Sequence, residues 1–265
     1  MKIMTTNMNG YCHTLSNHTF NDRSTLTFSL YRKNLPDIWA LQEVLTGKGM
    51  KCLKHLQRLS IQQGYSVILP QQPSWEPKEH PRSIQNILLL KNINEIKVLS
   101  IDDIELVNRV NFVRATFNQY PDKEFYIINV HVPQTAYFPG HKPNDGYVRY
   151  RKHLSYRFFE VLHREVSKLS AENKRVILIG DFNKTLDNEC IKNLLESGFV
   201  VASNVADNTY FCPAANIAES VDHIFLSSNI IAEGTVSNCV VDTDFVNIQK
   251  LSDHATVSLD LDIAM

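Results

Sequence analysis

The residues VILIGDFN, at positions 176–183, consist of an apolar run that is directly followed by polar residues. Four apolar residues in a row predict a strand inside a sheet, and Gly180 permits the unusual backbone angle needed where that strand turns. Because side chains alternate across an extended strand, Asp181 and Asn183 share one side while Phe182 points into the core. A carboxylate beside an amide can hold a water and a substrate oxygen together, although the same pair also occurs at ordinary strand-to-turn junctions.

Five other short polar segments lie at or near the ends of apolar runs in the same way. They are TNMNG at 6–10, LQE at 41–43, NVH at 129–131, SVDH at 220–223 and SDH at 252–254. Each segment alone is ordinary, since its residue types are common in solvated turns. Together they predict one site, because strand ends are where a rigid scaffold can fix polar groups in space.

The composition is that of a globular protein with room for a large core. Of 265 residues, 43% are hydrophobic and 21% are charged, and the formal net charge is −1. This balance gives no overall attraction to nucleic acid, but it is compatible with a local basic groove. Because the polar segments run from the first predicted strand to the last, the sequence predicts a single domain over residues 1–265.

Cysteines and apolar runs bear on the compartment. The five cysteines are scattered without a CxxC pair, which is typical of buried free thiols in a reducing compartment, although one disulfide in an exported protein stays open. No apolar run reaches the 18 residues of a membrane span, so no stable membrane association is expected. The first residues lead almost directly into a polar segment, which does not fit a signal peptide. We therefore expect a cytoplasmic protein, with export without a visible signal as the alternative and protein partners unknown.

Predicted strands outnumber predicted helices. Strands are expected at residues 2–7, 37–42, 66–69, 84–90, 95–101, 110–118, 125–130, 176–179, 221–226, 235–241 and 254–262. Helices are expected at 21–33, with Asn21 or Asp22 as N-cap, and at 49–63, 147–169 and 188–196, with long loops at 70–82 and 133–144. Several strands follow one another like hairpins, which disfavours a doubly wound parallel sheet. The pattern predicts an α/β protein with two mixed β-sheets packed face to face and outer helices.

Some of the polar residues suit a hard divalent cation. Asn7 and Asn9 are two positions apart and share a face, and Glu43 follows a predicted strand. With Asp253 and Asn7, Glu43 makes an open Mg²⁺ site, because Mg²⁺ prefers oxygen ligands and keeps several waters. Zinc is not expected, since His and Cys lack its usual ligand spacing.

Taken in order from Thr6 to His254, the six segments resemble the endonuclease/exonuclease/phosphatase family, which includes deoxyribonuclease I. This resemblance implies a four-layered α/β sandwich with its site between the edges of the two sheets. It also implies hydrolysis of a phosphoester by in-line attack of water, with Mg²⁺ as cofactor and Mn²⁺ as a substitute.

The same resemblance implies a metal side of the site. Glu43 is similar to the principal metal ligand of the family, and Asn7 to the amide near the metal and the scissile phosphate. Asp253 is similar to a second carboxylate on the metal side. Asn9 stands where some members have an acid and others a neutral residue, so a place at the substrate is expected for it instead of a role at the metal.

A catalytic side follows from the resemblance as well. His131 is similar to the histidine of the nuclease and sphingomyelinase branches, where the abasic-site branch has a tyrosine. Asp181 and Asn183 resemble the pair that orients water and steadies the phosphate, and Asp222 resembles the partner of His254. Either His254 or Asp181 takes the proton from water. His223 receives no role.

One feature departs from deoxyribonuclease I. That enzyme has an acid on a middle strand to orient the first histidine, and the segment RSIQN at 82–86 has none. An amide, Asn86 or Gln85, is therefore expected to orient His131.

The sequence features that indicate the substrate are weaker than those that indicate the reaction. The segment YVRYRKH at 147–153 offers Tyr147, Arg149 and Arg151 to a phosphate backbone and its bases. The competing interpretation is a solvated helix face with its tyrosines buried. Arg114 is a further candidate, as are Arg82 and Trp75 in the loop at 70–82.

Two enzyme classes and one non-enzyme class remain open. A nuclease acting on DNA or RNA is favoured, because the extended signatures of inositol phosphatases are absent and no exposed aromatic hairpin suggests a sphingomyelinase. The alternative is a phosphatase or phosphodiesterase acting on a small-molecule or lipid phosphoester. A binding protein with a vestigial site is the third interpretation, and the intact polar segments argue against it.

Overall fold

Two six-stranded mixed sheets lie face to face at the centre of the protein in a computed structural model. The structure describes residues 1–10, 18–47, 50–70, 84–104, 107–134, 145–203, 207–212 and 216–264. Most of the two long loops expected at 70–82 and 133–144 lies outside the described residues.

The described strands and helices follow one another along the whole chain. The strands are β1 (Lys2–Asn7), β2 (Ile38–Leu45), β3 (Ser66–Ile68), β4 (Ile84–Leu90), β5 (Ile93–Leu99), β6 (Val110–Phe117), β7 (Tyr120–His131), β8 (Arg175–Asp181), β9 (Phe199–Val201), β10 (Tyr210–Cys212), β11 (Ile217–Glu219), β12 (Asp222–Ser227), β13 (Gly234–Asp242) and β14 (Thr256–Ile263). The helices are α1 (Phe20–Leu30), α2 (Lys51–Gln62), α3 (Asp145–Ala171), α4 (Glu189–Glu196), α5 (Ser228–Glu233) and α6 (Asp244–Asn247). A 3₁₀ turn, Val107–Arg109, leads into β6.

Each sheet has one parallel pair near its centre. The first sheet has the order β13-β14-β1-β2-β4-β3, and the second has the order β5-β6-β7-β8-β12-β9. The parallel pairs are β1 with β2 and β7 with β8, joined by segments that contain α1 and α3. The carboxyl ends of a parallel pair lie at one edge of their sheet, and the segments 6–10, 129–131 and 180–183 are at those ends, while 41–43 lies within β2 beside the end of β1.

The core consists of three clusters of buried side chains, one between each two neighbouring layers of the four-layered sandwich. Side chains such as Ile127, Ile177 and Leu259 are fully buried between the two sheets. Phe158 and Leu162 of α3 pack on the outer face of the second sheet, and other buried residues join α1 and α2 to the first. Burying one such side chain contributes roughly 1.5–3 kcal/mol. The predicted α/β sandwich of two mixed sheets with outer helices is confirmed.

Some element boundaries differ from the predicted ones for local reasons. The first helix begins at Phe20 because Thr19, not Asn21 or Asp22, is its N-cap, and Asp22 completes a capping box with it. Strand β7 begins at Tyr120, five residues before the predicted start, because it forms a hairpin with β6. The short elements β9, β10, β11, α5 and α6 are not predicted, since three to six residues show too little periodicity.

Two observations relate to the expectations on cysteines and membranes. Cys52, Cys190, Cys212 and Cys239 are free thiols, and they are partly exposed instead of buried. Among the described residues, no helix has the length and apolar character needed to span a membrane.

Candidate active site

The polar segments meet at one edge of the sandwich, between the two sheets. Asn7, at the end of β1 in the first sheet, donates from Nδ2 to Oδ2 of Asp181, at the end of β8 in the second sheet, over 2.9 Å. Asp222 lies directly opposite Asp181 in the β8–β12 ladder, and His131 lies opposite it in the β7–β8 ladder. The structure therefore brings residues from both sheets to one point.

Glu43 is placed by an irregularity in β2. The pairing register of β2 with β4 shifts between Leu41 and Val44, and Glu43 has a positive φ of 50° inside this bulge. Bulges often redirect a side chain next to an active site, and a non-glycine residue at positive φ costs about 1–3 kcal/mol. Gly10 permits this backbone, because a Cβ at that position would collide with the carbonyl oxygen of Glu43.

Gly180 has the role that the sequence predicts. Its φ is +140°, and a Cβ there would collide with the carbonyl oxygen of Val130 on the neighbouring strand. Asn183 then holds the chain just after β8. Its backbone N–H donates to Oδ1 of Asp181 over 2.8 Å, and its Nδ2 donates to the carbonyl oxygen of Val132 over 2.9 Å. The Asp181 carboxylate is thus held from both ends, by Asn7 and by Asn183.

The carboxylates at this edge are crowded. Burial, with the charge of Asp253 as the next cause, raises the pKa of Glu43 to about 7. Burial, with the charge of Asp222 as the next cause, raises the pKa of Asp181 to about 7. Asp253 accepts a hydrogen bond from Nδ2 of Asn9 over 2.6 Å. These carboxylates therefore lie close together at a place where water cannot fully solvate their negative charge.

A divalent cation fits this donor set. Carboxylate oxygens are the ligands that hard cations prefer, and a cation would offset both the burial and the mutual repulsion that raise the two pKa values. Glu43 and Asp253 are the residues that would hold it. Asn7 lies beside them, with Oδ1 accepting the backbone N–H of Asn9 over 2.9 Å. Another possible ligand group, Asp181, Asp222 and His254, has its ligand atoms within 4.8 Å of one another.

His254 and Asp222 form a buried pair. Nδ1 of His254 lies 2.8 Å from Oδ2 of Asp222. Burial opposes the charged imidazole, but the Asp222 carboxylate outweighs it and raises the pKa of His254 well above its usual value. The other nitrogen, Nε2, lies 4.0 Å from Oδ2 of Asp181 and 3.9 Å from Oδ1 of Asp253. The imidazolium therefore faces the carboxylates that surround the proposed metal position.

His131 has a different environment. Its Nε2 lies 3.4 Å from Oε1 of Glu43 and 3.7 Å from Oδ2 of Asp181. Nη1 of Arg109 lies 3.1 Å from each ring nitrogen. Burial first, and then the Arg109 guanidinium, hold the pKa of His131 well below its usual value. His131 is therefore a neutral imidazole beside a buried cation.

Asn86 does not orient His131 as the sequence predicts. Its Nδ2 donates to the carbonyl oxygen of Arg109 over 2.8 Å, so it fixes the 3₁₀ turn that carries the guanidinium. No described contact joins Gln85 to the His131 ring. The expectation of an amide partner is corrected, because an arginine from a different segment occupies that place. His223 lies on the other side of β12, against Phe182 and Phe225, as its lack of a role suggested.

Sequence reasoning missed Thr209 and Tyr210. Oγ1 of Thr209 donates to Oδ2 of Asp222 over 2.7 Å, and the ring of Tyr210 lies 4.9 Å from that of His254. Tyr210 begins β10 of the small β10–β11 hairpin and Thr209 directly precedes it, after a polar stretch without periodicity. The backbone N–H of Phe211 donates to the carbonyl oxygen of Asp253 over 2.9 Å, so the hairpin lies directly against this edge.

Two arginines were missed as well. Arg109 lies in a one-turn helix with no pattern to mark it. Arg23 of α1 is buried, and its guanidinium donates to the carbonyl oxygens of Met8, Asn9 and Leu251 over 2.8–3.0 Å. It ties the segment at 6–10 to the one that precedes Ser252. A single arginine in a predicted helix carries no sequence signal for such a role.

The substrate candidates separate into two groups. Arg114 is not at this edge: it pairs with Glu124 at 3.1 Å and with Glu95 at 3.4 Å on the outer face of the second sheet. Its two neighbours in β6 point into the core, so its own side chain must point outward. That assignment is corrected. Arg151 is near the site, because Nε donates to the carbonyl oxygen of Gln134 over 3.2 Å.

Three other candidates are less defined. Arg149 is an exposed residue of α3. Tyr147 belongs to the same helix, and its side chain is outside what the structure describes. Arg82 and Trp75 also lie outside the described residues.

Known proteins share both the sequence pattern and the fold. Residues 4–254 match the model of the endonuclease/exonuclease/phosphatase family. No curated protein matches the chain. Among solved structures, a 3'-5' exonuclease, NExo from Neisseria meningitidis, has 18% identity and a TM-score of 0.69 over 99% of this chain and 100% of its own.

Two more structures extend the comparison. NExo described as a 3' phosphatase, bound to a product DNA hairpin, has 18% identity and a TM-score of 0.68 over 99% of each chain. An AP endonuclease from Archaeoglobus fulgidus has 17% identity and a TM-score of 0.67 over 99% of this chain and 100% of its own. At these identities the likeness is one of fold, whereas the family match covers nearly the whole sequence. The chain belongs to the endonuclease/exonuclease/phosphatase family.

Proposed function

We propose that the protein is a divalent-metal-dependent phosphodiesterase, and specifically a nuclease that hydrolyses DNA or RNA. One observation carries this proposal: three carboxylates, the buried Asp181 and the partly buried Glu43 and Asp253, converge with the Asp222–His254 pair at one edge of the sandwich. Membership of a family of phosphoester hydrolases supports it. The activity is assigned to residues 1–265 as one domain, because β1 and β14 pair in the same sheet.

The metal would be held by Glu43 and Asp253, with Asn7 beside them. Mg²⁺ is the expected ion and Mn²⁺ a substitute, since both accept oxygen ligands. When bound, it supplies positive charge that polarises a phosphoryl oxygen and stabilises the leaving oxygen.

Asp181 is assigned as the base that takes the water proton. Its pKa near 7 suits a group that must accept a proton at neutral pH, and Asn7 and Asn183 fix its orientation. The water oxygen bonds to phosphorus, the bond to the leaving ester oxygen breaks, and the leaving oxygen takes a proton from solvent. The products are a phosphate monoester and a hydroxyl group.

His254 and His131 act on the phosphate. His254, kept protonated by Asp222, donates from Nε2 to an equatorial oxygen as negative charge develops. His131 is neutral and donates a hydrogen bond without adding charge. Positioned donors of this kind each contribute about 10²–10³-fold to rate.

A nucleic acid is the proposed substrate because of the surrounding charge. Arg109 and Arg151 lie next to the carboxylates at which the metal is proposed to bind. Their positive charge suits the phosphates of a nucleic acid strand. The similar structures include an exonuclease, an AP endonuclease and one bound to a product DNA hairpin.

The second candidate is hydrolysis of a small-molecule or lipid phosphoester. Two arginines are enough to bind a single phosphate, and one similar structure is described as a 3' phosphatase. A nuclease is distinguished from this candidate by a steep fall of substrate affinity with salt.

A substrate panel tests the proposal. The full-length protein is incubated with Mg²⁺, Mn²⁺ or EDTA and, separately, with plasmid DNA, single-stranded DNA, RNA, inositol phosphates and phospholipids. We expect metal-dependent cleavage of a nucleic acid that Glu43→Ala abolishes. Metal-dependent products from the small or lipid substrates alone would favour the second candidate, and absence of products from every substrate would refute both.

A further inference from the structure

Helix α3 presents two opposite faces. Leu154, Phe158 and Phe159 are buried, on the face that packs on the second sheet. On the other face Tyr150 and Tyr156 are 54% and 55% exposed. The competing interpretation of the segment 147–153, in which its tyrosines are buried, is therefore wrong for Tyr150.

The exposed face alternates cations with aromatic rings. It consists of Arg149, Tyr150, Lys152, His153 and Tyr156, which we call the α3 stripe; spacings of three, four and seven residues place them side by side. Nζ of Lys152 lies 5.8 Å from the centroid of the Tyr156 ring.

Acidic side chains are scarce along this part of the helix. After Asp145 the next acid in α3 is Glu160, and Arg157 pairs with it at 2.9 Å. Acids of the helix itself therefore offset little of the positive charge that Lys152 brings to the α3 stripe.

The α3 stripe begins beside the candidate active site. Arg151 lies between stripe residues in the sequence but on the inner side of the helix. It donates to the carbonyl oxygen of Gln134, three residues after His131. Asn183 donates to the carbonyl oxygen of Val132 in the same short segment. From Arg149 to Tyr156 the helix advances about 10 Å, which matches about three nucleotides at a stacking distance of 3.4 Å.

We propose that the α3 stripe binds an unpaired stretch of the nucleic acid strand whose phosphodiester enters the candidate active site. The inference rests on the proposed function, and it names the substrate class as a strand with unpaired nucleotides. Exposed rings can stack on unpaired bases, whereas the faces of paired bases are covered inside a duplex. The cations between the rings complement the phosphates that join those bases.

Binding without turnover tests this proposal. The full-length protein is titrated in EDTA into a fluorescent DNA hairpin with an unpaired tail and into the same hairpin with a blunt end, followed by anisotropy. Tyr156→Ala is expected to weaken binding of the tailed hairpin between about 5-fold and 100-fold, and Tyr156→Phe is expected to bind as the unmodified protein does.

Charge is tested by the salt dependence of the same affinity. Lys152→Gln is expected to lower the slope of log Kd against log salt by about 0.7, the value for one phosphate of a single strand. Lys54→Gln removes an exposed lysine from α2, on the other sheet, and is the matched control with no expected effect. Urea unfolding of each variant shows that the fold is retained.

The outcomes separate this inference from the proposed function. Unchanged affinity in Tyr156→Ala, an equal loss in Tyr156→Phe or Lys54→Gln, or equal binding of blunt and tailed hairpins would overturn the role of the α3 stripe. Binding to anionic vesicles with none to the hairpins would overturn it too. Metal-dependent cleavage by the unmodified protein and its loss in Glu43→Ala are measured separately, so the nuclease proposal can fail while strand binding stands, and the reverse.

Discussion

Replacing Thr209 with valine removes one hydroxyl group that orders the Asp222–His254 pair. Thr209 is buried, and Oγ1 donates to Oδ2 of Asp222 over 2.7 Å. The same oxygen accepts the backbone N–H groups of Val221 and Asp222, each over 3.0 Å. Valine has nearly the same shape, so the substitution deletes these three hydrogen bonds with little change of volume.

The magnitude depends on the groups that are left unpaired. Two buried N–H groups lose their acceptor, and each such loss costs about 1–3 kcal/mol, so the free energy of unfolding should fall by about 2–6 kcal/mol. Asp222 also loses a donor and can rotate away from His254. Loss of a partner that orients a reacting histidine typically costs about 10–100-fold, which we expect in kcat. KM should change little, because Thr209 does not touch the substrate.

The assay compares Thr209→Val with Thr209→Ser, which keeps the hydroxyl group. Urea unfolding gives the stability, and hydrolysis of a small activated phosphodiester gives kcat and KM. In the NMR spectrum, the downfield resonance of the His254 Nδ1 proton should be lost or shifted in the valine variant and retained with serine. A valine variant with unchanged kcat, or a serine variant as slow as valine, would refute the reasoning.

Three further predictions concern the carboxylates and the arginine that supports them. Because Glu43 has a pKa of about 7 in the folded protein and about 4.5 when unfolded, its carboxyl group should remove on the order of 3 kcal/mol of stability from the metal-free protein as pH rises from 4.5 to 7, in addition to the loss that Asp181 causes over this range; Glu43→Gln should lose less stability than the unmodified protein by that amount, and urea titrations in EDTA that show the same pH dependence for both would contradict it. Asp181→Asn should lower kcat by at least about 10²-fold while the variant still unfolds cooperatively in urea, and steady-state kinetics near those of the unmodified enzyme would exclude Asp181 as the base. Arg23→Met should lower the free energy of unfolding by about 3–5 kcal/mol, since three carbonyl oxygens lose a buried cationic donor; a shift of the urea midpoint that corresponds to less than about 1 kcal/mol would show that Arg23 does not hold these segments.

Strand ends are the part of the site that the sequence could predict. The apolar run before Gly180 and Asp181 predicts a strand. Because side chains alternate along a strand, the run also predicts which of the following side chains point away from the core on the same side. Strands β1, β7 and β8 each end in polar residues of the predicted site. The structure brings these strand ends together at one edge of the sandwich.

The groups that orient the site could not be predicted. Thr209 directly precedes a three-residue strand, and Arg109 lies in a single turn, so neither belongs to a periodic pattern. The assignment of Arg114 to the substrate depends on charge alone. The alternation in β6, with Val113 and Ala115 buried between the sheets, already directs Arg114 outward. Contacts between distant segments depend on the packing of the two sheets, which no local pattern encodes.

The central claim is that this edge of the sandwich hydrolyses a phosphodiester with water and a divalent metal. The most direct measurement is hydrolysis of a small phosphodiester in water labelled with oxygen-18, with Mg²⁺ or EDTA, by the unmodified protein and by Glu43→Gln. Mass spectrometry should find one labelled oxygen in the phosphate product and none in the released alcohol, only with Mg²⁺ and Glu43 present. Label in the alcohol, or equal product from Glu43→Gln or in EDTA, would contradict the claim.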